Sequence, residues 1–295
     1  MKIIEITIKY CKQLTEINVD FLQISESQAN EFFKKFGPWL KRIRFSFKDS
    51  LFYDKQFIFF NMNYCSKLEA IDLQRGSIVH IFHGKNNCLV KNLKKFKFEF
   101  RNKDQVYFEN FTQTYKNSLE CLEVTLQGNI AQIPLVSLYK QIIMFTNLSK
   151  LQLFFMYYFE HNSFDSSSYL AEIAEKCTKL NELDISICST YHNIVNNFKS
   201  IDKFKSSIKI SIKIATDIRV DNQDELIQNL MNWRNLQVFD LDSYGDPVQD
   251  IFLLSINENL PRLKFLILIR TDFTEQAFES ISKLKHLRNI SLSTF

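Results

Sequence analysis

The stretch "YCSKLEAIDLQ", residues 64 to 74, decides the fold because the chain repeats it. "YCKQLTEINVD" at 10 to 20 and "KCTKLNELDIS" at 176 to 186 share its spacing. A cysteine stands three places ahead of a leucine, and apolar residues follow three and five places after that leucine. Apolar residues two apart turn their side chains to the same face of an extended strand. One such phrase means little in a chain that is 45 % hydrophobic, so the question is how often it returns.

Aligned on the leading residue, the phrase recurs at Leu14, Leu40, Leu68, Leu93, Leu119, Leu148, Leu180, Ser207, Leu236, Leu263 and Leu287. Subtracting successive positions gives spacings of 24 to 32 residues. Both following apolar positions are filled each time, from Ile17 and Val19 to Ile290 and Leu292. At Ser207 the stretch "SSIKISIKI" fits in two ways. The column three places before the leading residue contains Cys65, Val90, Phe145, Cys177, Trp233 and Leu260. It reads as a packing column in which free cysteine serves as a small hydrophobe.

Between the phrases, residues 27–37, 222–233, 246–260 and 273–287 have helical spacing or end signals. Gly37 is expected to cap the first, and Phe278, Ile281 and Leu284 to share one face of the last. Residues 76–92 read as extended or irregular. Each unit is thus a short strand followed by a helix. Such strands have no independent stability, but side by side they form one parallel sheet over a continuous core. Helices are about 10 Å wide and strands about 4.8 Å apart, so the stack bends with the sheet inside.

The chain resembles leucine-rich-repeat proteins over nearly all of residues 1–295, read as one domain. The cysteine phrase at Cys11, Cys65 and Cys177 is similar to the repeats found behind F-boxes, and a length near 27 suits the ribonuclease-inhibitor-like class. The resemblance implies an α/β solenoid of about eleven repeats, a curved horseshoe with a concave parallel sheet and convex helices. The family carries Asn or Cys eight places after the leading leucine; here only Cys188 fits, so turn hydrogen bonding is expected to be handled differently. "MKIIEITI" alternates like a strand, and residues 1–13 are read as an N-terminal covering strand. The sheet edge after "NISLSTF" is expected to be sealed by a partner or by further chain.

Composition excludes several classes. A formal charge of +4 with mixed signs gives no strong pull towards nucleic acid or anionic membrane. No apolar run is long enough for a signal-peptide core or a membrane span. Six cysteines without a C-x-x-C pair suit reduced thiols of an intracellular protein, cytoplasmic or nuclear. Five scattered glycines make no phosphate loop, and no catalytic motif appears, so neither enzyme activity nor a cofactor is expected. His80, His83 and Cys88 lack the second ligand pair of a zinc site. The sequons at Asn110, Asn147 and Asn289 are read as chance.

Residues between the core positions face the concavity. Arg42, Arg44, Lys95 and Lys97 are basic there, Asp240 and Asp242 acidic. Phe265, Ile267 and Ile269 place three large apolar side chains where solvent should be, which points to a buried partner contact. Alternating charge suits a protein better than a polyanion. The expected function is a non-catalytic interaction scaffold, a subunit of a larger assembly. The alternative is the substrate receptor of a ubiquitin ligase, without a visible F-box. Nucleic acid ranks lower.

Overall fold

The computed structural model describes residues 13–20, 26–46, 64–79, 90–126, 132–155, 167–189, 203–204, 207–214, 233–243, 251–254, 256–269 and 274–293. Residues 1–12 of the expected covering strand, Cys11, His80, His83, Cys88 and residues 222–232 lie outside them. The chain divides into two compact units, Met1–Thr125 with Ile133–Leu148, and Leu126–Gln132 with Ser149–Phe295.

The first unit runs β1 (Glu16–Asp20), α1 (Glu26–Phe36), a 3-10 turn (Gly37–Trp39), β2 (Arg42–Ser46), β3 (Ala70–Ser77) and β4 (Lys95–Phe100). A second 3-10 turn (Asn102–Asp104) leads into α2 (Gln105–Tyr115), β5 (Cys121–Leu126) and α3 (Gln132–Ile142). The second unit runs β6 (Lys150–Phe155), α4 (Ser167–Lys176), β7 (Glu182–Ser189), β8 (Ser207–Ile214), β9 (Leu236–Ser243), α5 (Ile251–Leu254) and α6 (Ile256–Asn259). It continues with β10 (Phe265–Ile269), α7 (Glu275–Ser282) and β11 (Asn289–Ser293). Within each unit the strands are parallel and lie in sequence order. The molecule is a repeating α/β protein.

Register follows the sequence phrase. Ile17, Ile43, Ile71 and Phe96 form one rank across β1 to β4. Leu151, Leu183 and Ile208 form another across β6 to β8. The two fits of "SSIKISIKI" are both used. Against β7, Ile208 and Ile210 stand beside Leu183 and Ile185; against β9, Ile210 and Ile212 stand beside Phe239 and Leu241. The register step between Ile208 and Lys209 accommodates both.

The carbonyl just after the leading leucine is a second repeating device. Thr15 O accepts from the N–H groups of Lys41 and Arg42 at 2.7 and 3.1 Å. Lys41 O, Glu69 O, Lys94 O, Ser149 O and Lys264 O likewise each accept two N–H groups from the following unit. Turn bonding uses asparagines one place before the leading leucine. Asn92 Nδ2 donates to Ser66 O at 3.2 Å, Asn235 Nδ2 to Phe204 O at 3.3 Å, and Asn147 Nδ2 to Asn117 O. A side-chain amide thus bridges neighbouring repeats at these three places.

The core is built as the phrase requires in the inner repeats, whereas in the first and last Ile290 is 44 % exposed and Leu14, Ile17, Leu287 and Leu292 are half-buried. Leu40, Leu68, Leu93, Leu119, Leu148, Leu236 and Leu263 have no exposed surface. The preceding column is buried at Cys65, Val90, Phe145, Cys177, Phe204, Trp233 and Leu260, while Lys116 is half-buried. In the first unit the rings of Phe96, Phe98, Phe100, Phe108, Phe111 and Phe145 meet in one aromatic cluster, such as Phe96 on Phe111 at 4.5 Å.

Three helices, α2, α3 and α4, follow strands as the unit predicts, in stretches whose helical spacing was not singled out. Their signal was present: Phe108, Phe111 and Tyr115 fall at helical intervals and are buried. The helical reading of 246–260 resolves into α5 and α6 over its described part. Ile281 in α7 and Leu284 just past its end are buried, but Phe278 is 48 % exposed, because Ala277 and Ser280 occupy the inward face instead. Gly37 follows the helix end as expected, but its role is close approach: a Cβ there would lie 2.9 Å from Tyr64 backbone.

Candidate partner-binding face

Alternation puts the residues between the core ranks on the opposite side of the sheet. In the first unit one such rank holds Glu16, Arg42, Ala70 and Lys95, and the next holds Asn18, Arg44, Asp72 and Lys97. These residues are brought together as the sequence predicts, and their charges interlock across strands. Arg42 meets Glu16 at 3.4 Å, and Arg44 Nε meets Asp72 Oδ2 at 2.8 Å. Lys97 pairs with Glu123 of β5. One place before the strands, Lys94 lies 3.6 Å from Glu120. Lys95 is exposed beside Ala70 and has no ion pair among the described residues.

Each pair is partly solvated, so each contributes about 0–1 kcal/mol to stability. Their larger effect is on the field outside the sheet. A cation whose neighbour one strand away is a carboxylate projects a dipole, not a net charge. Opposite charge at equal rank in consecutive repeats is the sequence signal that joins Glu16, Asp72 and Glu123 to the arginines and lysine.

The second unit repeats the theme. Lys150 pairs with Glu182. Gln152 Nε2 and Lys209 Nζ reach Asp184 Oδ2 at 3.0 and 3.1 Å. Asp184 is only 3 % exposed, and its Oδ1 has no hydrogen-bond partner. A buried carboxylate tolerates that only because the other oxygen is doubly held.

Towards β11 the character changes. Phe265, Ile267 and Ile269 stand between Val238, Asp240 and Asp242 of β9 and Asn289, Ser291 and Ser293 of β11. Leu266 and Leu268 are fully buried on the core side, so the three apolar residues do lie on the opposite face. There they are half-buried. Asp240 is half-buried beside Ile267. Asp242 lies on the strand beside Ile269, its side chain outside the described set. The face thus passes from paired charges to an apolar column with carboxylate-bearing and serine-bearing strands on its two sides.

Of the phrase cysteines, Cys65 and Cys177 are packed thiols. Burial pushes Cys65 up to about 12 and Cys177 up to about 11, which removes the thiolate that nucleophilic or metal chemistry requires. Among the described residues no three His, Cys, Asp or Glu side chains gather as a metal site, and no helix is long and apolar enough to cross a membrane. Comparison of the chain with protein-family models and with curated proteins finds no match.

Proposed function

We propose that the chain is a leucine-rich-repeat solenoid of the horseshoe type, and that it works as a non-catalytic scaffold within a larger assembly. Its sheet face grips a protein partner, with Phe265, Ile267 and Ile269 as the apolar anchor in the second unit and the ion pairs of that same unit, Lys150 with Glu182 and Lys209 with Asp184, as its polar surround. One observation carries this reading: the basic residues Arg42, Arg44 and Lys97 are each matched by a carboxylate on the adjacent strand. A polyanion gains affinity by releasing counterions to unpaired cations, and paired ones offer it little. A protein surface with its own mixed charges meets such a face without that loss, and half-buried apolar side chains supply the anchor that interfaces concentrate.

The test is a pair of charged substitutions, Phe265→Asp and Ile267→Asp, in the full chain. Affinity purification from native extract should recover a discrete protein partner with the parent chain and lose it with the variants, while cooperative unfolding persists in both. Retention of the partner by folded variants would refute the anchor. Tight binding of random RNA with a steep salt dependence would refute the preference for protein.

A further inference from the structure

The last three repeats carry a basic rim that the partner-binding reading does not use. It lies where the strands begin, on the residues flanking the leading leucines Leu236, Leu263 and Leu287. One place after each leucine stand Gln237, Lys264 and Arg288; one place before stand Asn235, Arg262 and His286. Arg234 and Lys285 come one place earlier still. Rungs between repeats make equal places neighbours: the N–H of Lys264 donates to Gln237 O, and that of Arg288 to Lys264 O, both at 2.8 Å. Strands about 4.8 Å apart then gather five cations along roughly 10 Å of rim.

Among the described residues none of these five cations, Arg234, Arg262, Lys264, Lys285 and Arg288, meets a carboxylate. Arg262 Nη1 donates to Asn235 Oδ1 at 3.0 Å and Lys264 Nζ to Gln237 Oε1 at 2.9 Å, so neutral amides of the preceding repeat hold both in place. Arg234, Lys285 and Arg288 are exposed. Carboxylates close by in the chain do not serve them: Glu258 in α6 is exposed, and Glu279 in α7 pairs with Lys283 at 2.8 Å. The first unit differs. Its corresponding rim alternates Lys41, Glu69, Lys94 and Glu120, and Lys94 meets Glu120 at 3.6 Å.

Charge therefore changes sign along the strands. The rim is cationic and adjoins the apolar column directly, Lys264 preceding Phe265, whereas further along Asp240 stands beside Ile267 and Asp242 beside Ile269. We propose that the rim takes an acidic segment of the protein partner, one whose carboxylates adjoin the apolar residues that seat on Phe265, Ile267 and Ile269. This rests on the anchor reading above and adds a direction to it: the partner's negative end points past Lys264, away from Asp242. Opposite charge at one end of a contact fixes register and speeds encounter more than it adds affinity. Single-stranded nucleic acid fits less well, because its bases need aromatic platforms. Trp233 is buried, and the described residues of the rim expose no Phe, Tyr or Trp.

Fluorescence anisotropy on the full chain at low salt tests the rim with two labelled peptides. One has four glutamates followed by Leu-Ser-Leu-Ser-Leu, and the other has glutamines in their place. The acidic peptide should bind about tenfold more tightly, as several partly solvated ion pairs together allow. Arg262→Gln with Arg288→Gln should abolish that preference and leave the glutamine peptide's affinity unchanged. Ile267→Ser should weaken both peptides alike. Equal affinity of the two peptides for the parent chain, with the Ile267→Ser effect intact, overturns the rim alone; a glutamate preference that Ile267→Ser leaves untouched at full affinity overturns the anchor alone. A mixed-sequence RNA that binds more tightly than the acidic peptide, and is lost with the rim variant, would assign the rim to nucleic acid and overturn the proposal.

Discussion

Arg44 on β2 and Asp72 on β3 face each other across one strand spacing, with Nε and Oδ2 2.8 Å apart. Asp72 Oδ1 is buried without a donor, so among the described residues the carboxylate's side-chain partner is the arginine. Removing one partner of such a pair costs more than removing both. Arg44→Ala should lower unfolding stability by about 1 kcal/mol, and adding Asp72→Ala should cause no further loss. Denaturant titration of the two single variants and the double variant reads this directly. Simple additivity would show that the two side chains are not coupled.

Leu266 and Ile267 are neighbours in β10 on opposite faces, one wholly buried and one half-buried. Leu266→Ala should cost about 2–5 kcal/mol through lost burial and a residual cavity. Ile267→Ala should cost under about 2 kcal/mol, in proportion to the smaller surface it covers. Thermal unfolding of the two variants reports the contrast. Equal losses would mean that the alternation on which the partner face depends is wrong.

The ranks of the core were readable because period two in a strand and a unit of near-constant length both leave their mark on residue type. Leu40, Leu68, Ile43 and Ile71 needed no coordinates. The status of Phe278 was not readable: Phe278 and Ile281 have helical spacing, but Ala277 and Ser280 turn inward where helix packing leaves little room. The burial of Asp104 in the turn before α2 was also hidden. That environment is made by Ser77, 27 residues earlier, and by a register step that no local pattern announces. The same holds for the charges of the candidate face. Their positions were visible, but pairing such as Arg44 with Asp72 depends on which repeats lie side by side in register.

Gly37 packs against the backbone of Tyr64, where a Cβ would come within 2.9 Å of the carbonyl carbon and oxygen. Backbone atoms cannot swing aside as a side-chain tip can. Gly37→Ala should therefore force the turn at Gly37–Trp39 away from Tyr64. The expected loss is about 1–3 kcal/mol, the range for overpacking a fitted contact. A melting temperature equal to the parent's would show that the two segments have slack.

Cys65 and Cys177 hold their protons well above the ordinary thiol value of 9.0, at about 12 and about 11, because burial disfavours the thiolate. At pH 8 an alkylating reagent should leave both unmodified in the folded chain and modify Cys121, which is half-buried, sooner. Peptide-resolved mass spectrometry distinguishes the sites. The raised values also fix a sign. The folded chain keeps protons that the unfolded chain releases, so this contribution to stability is whole below about pH 9 and is lost as pH climbs towards 11 and 12. The Cys65→Ala, Cys177→Ala double variant lacks both thiols. The stability difference between parent and variant should therefore shrink between pH 8 and pH 10. A difference independent of pH would mean that these thiols meet water, and that the column they occupy is not packed core.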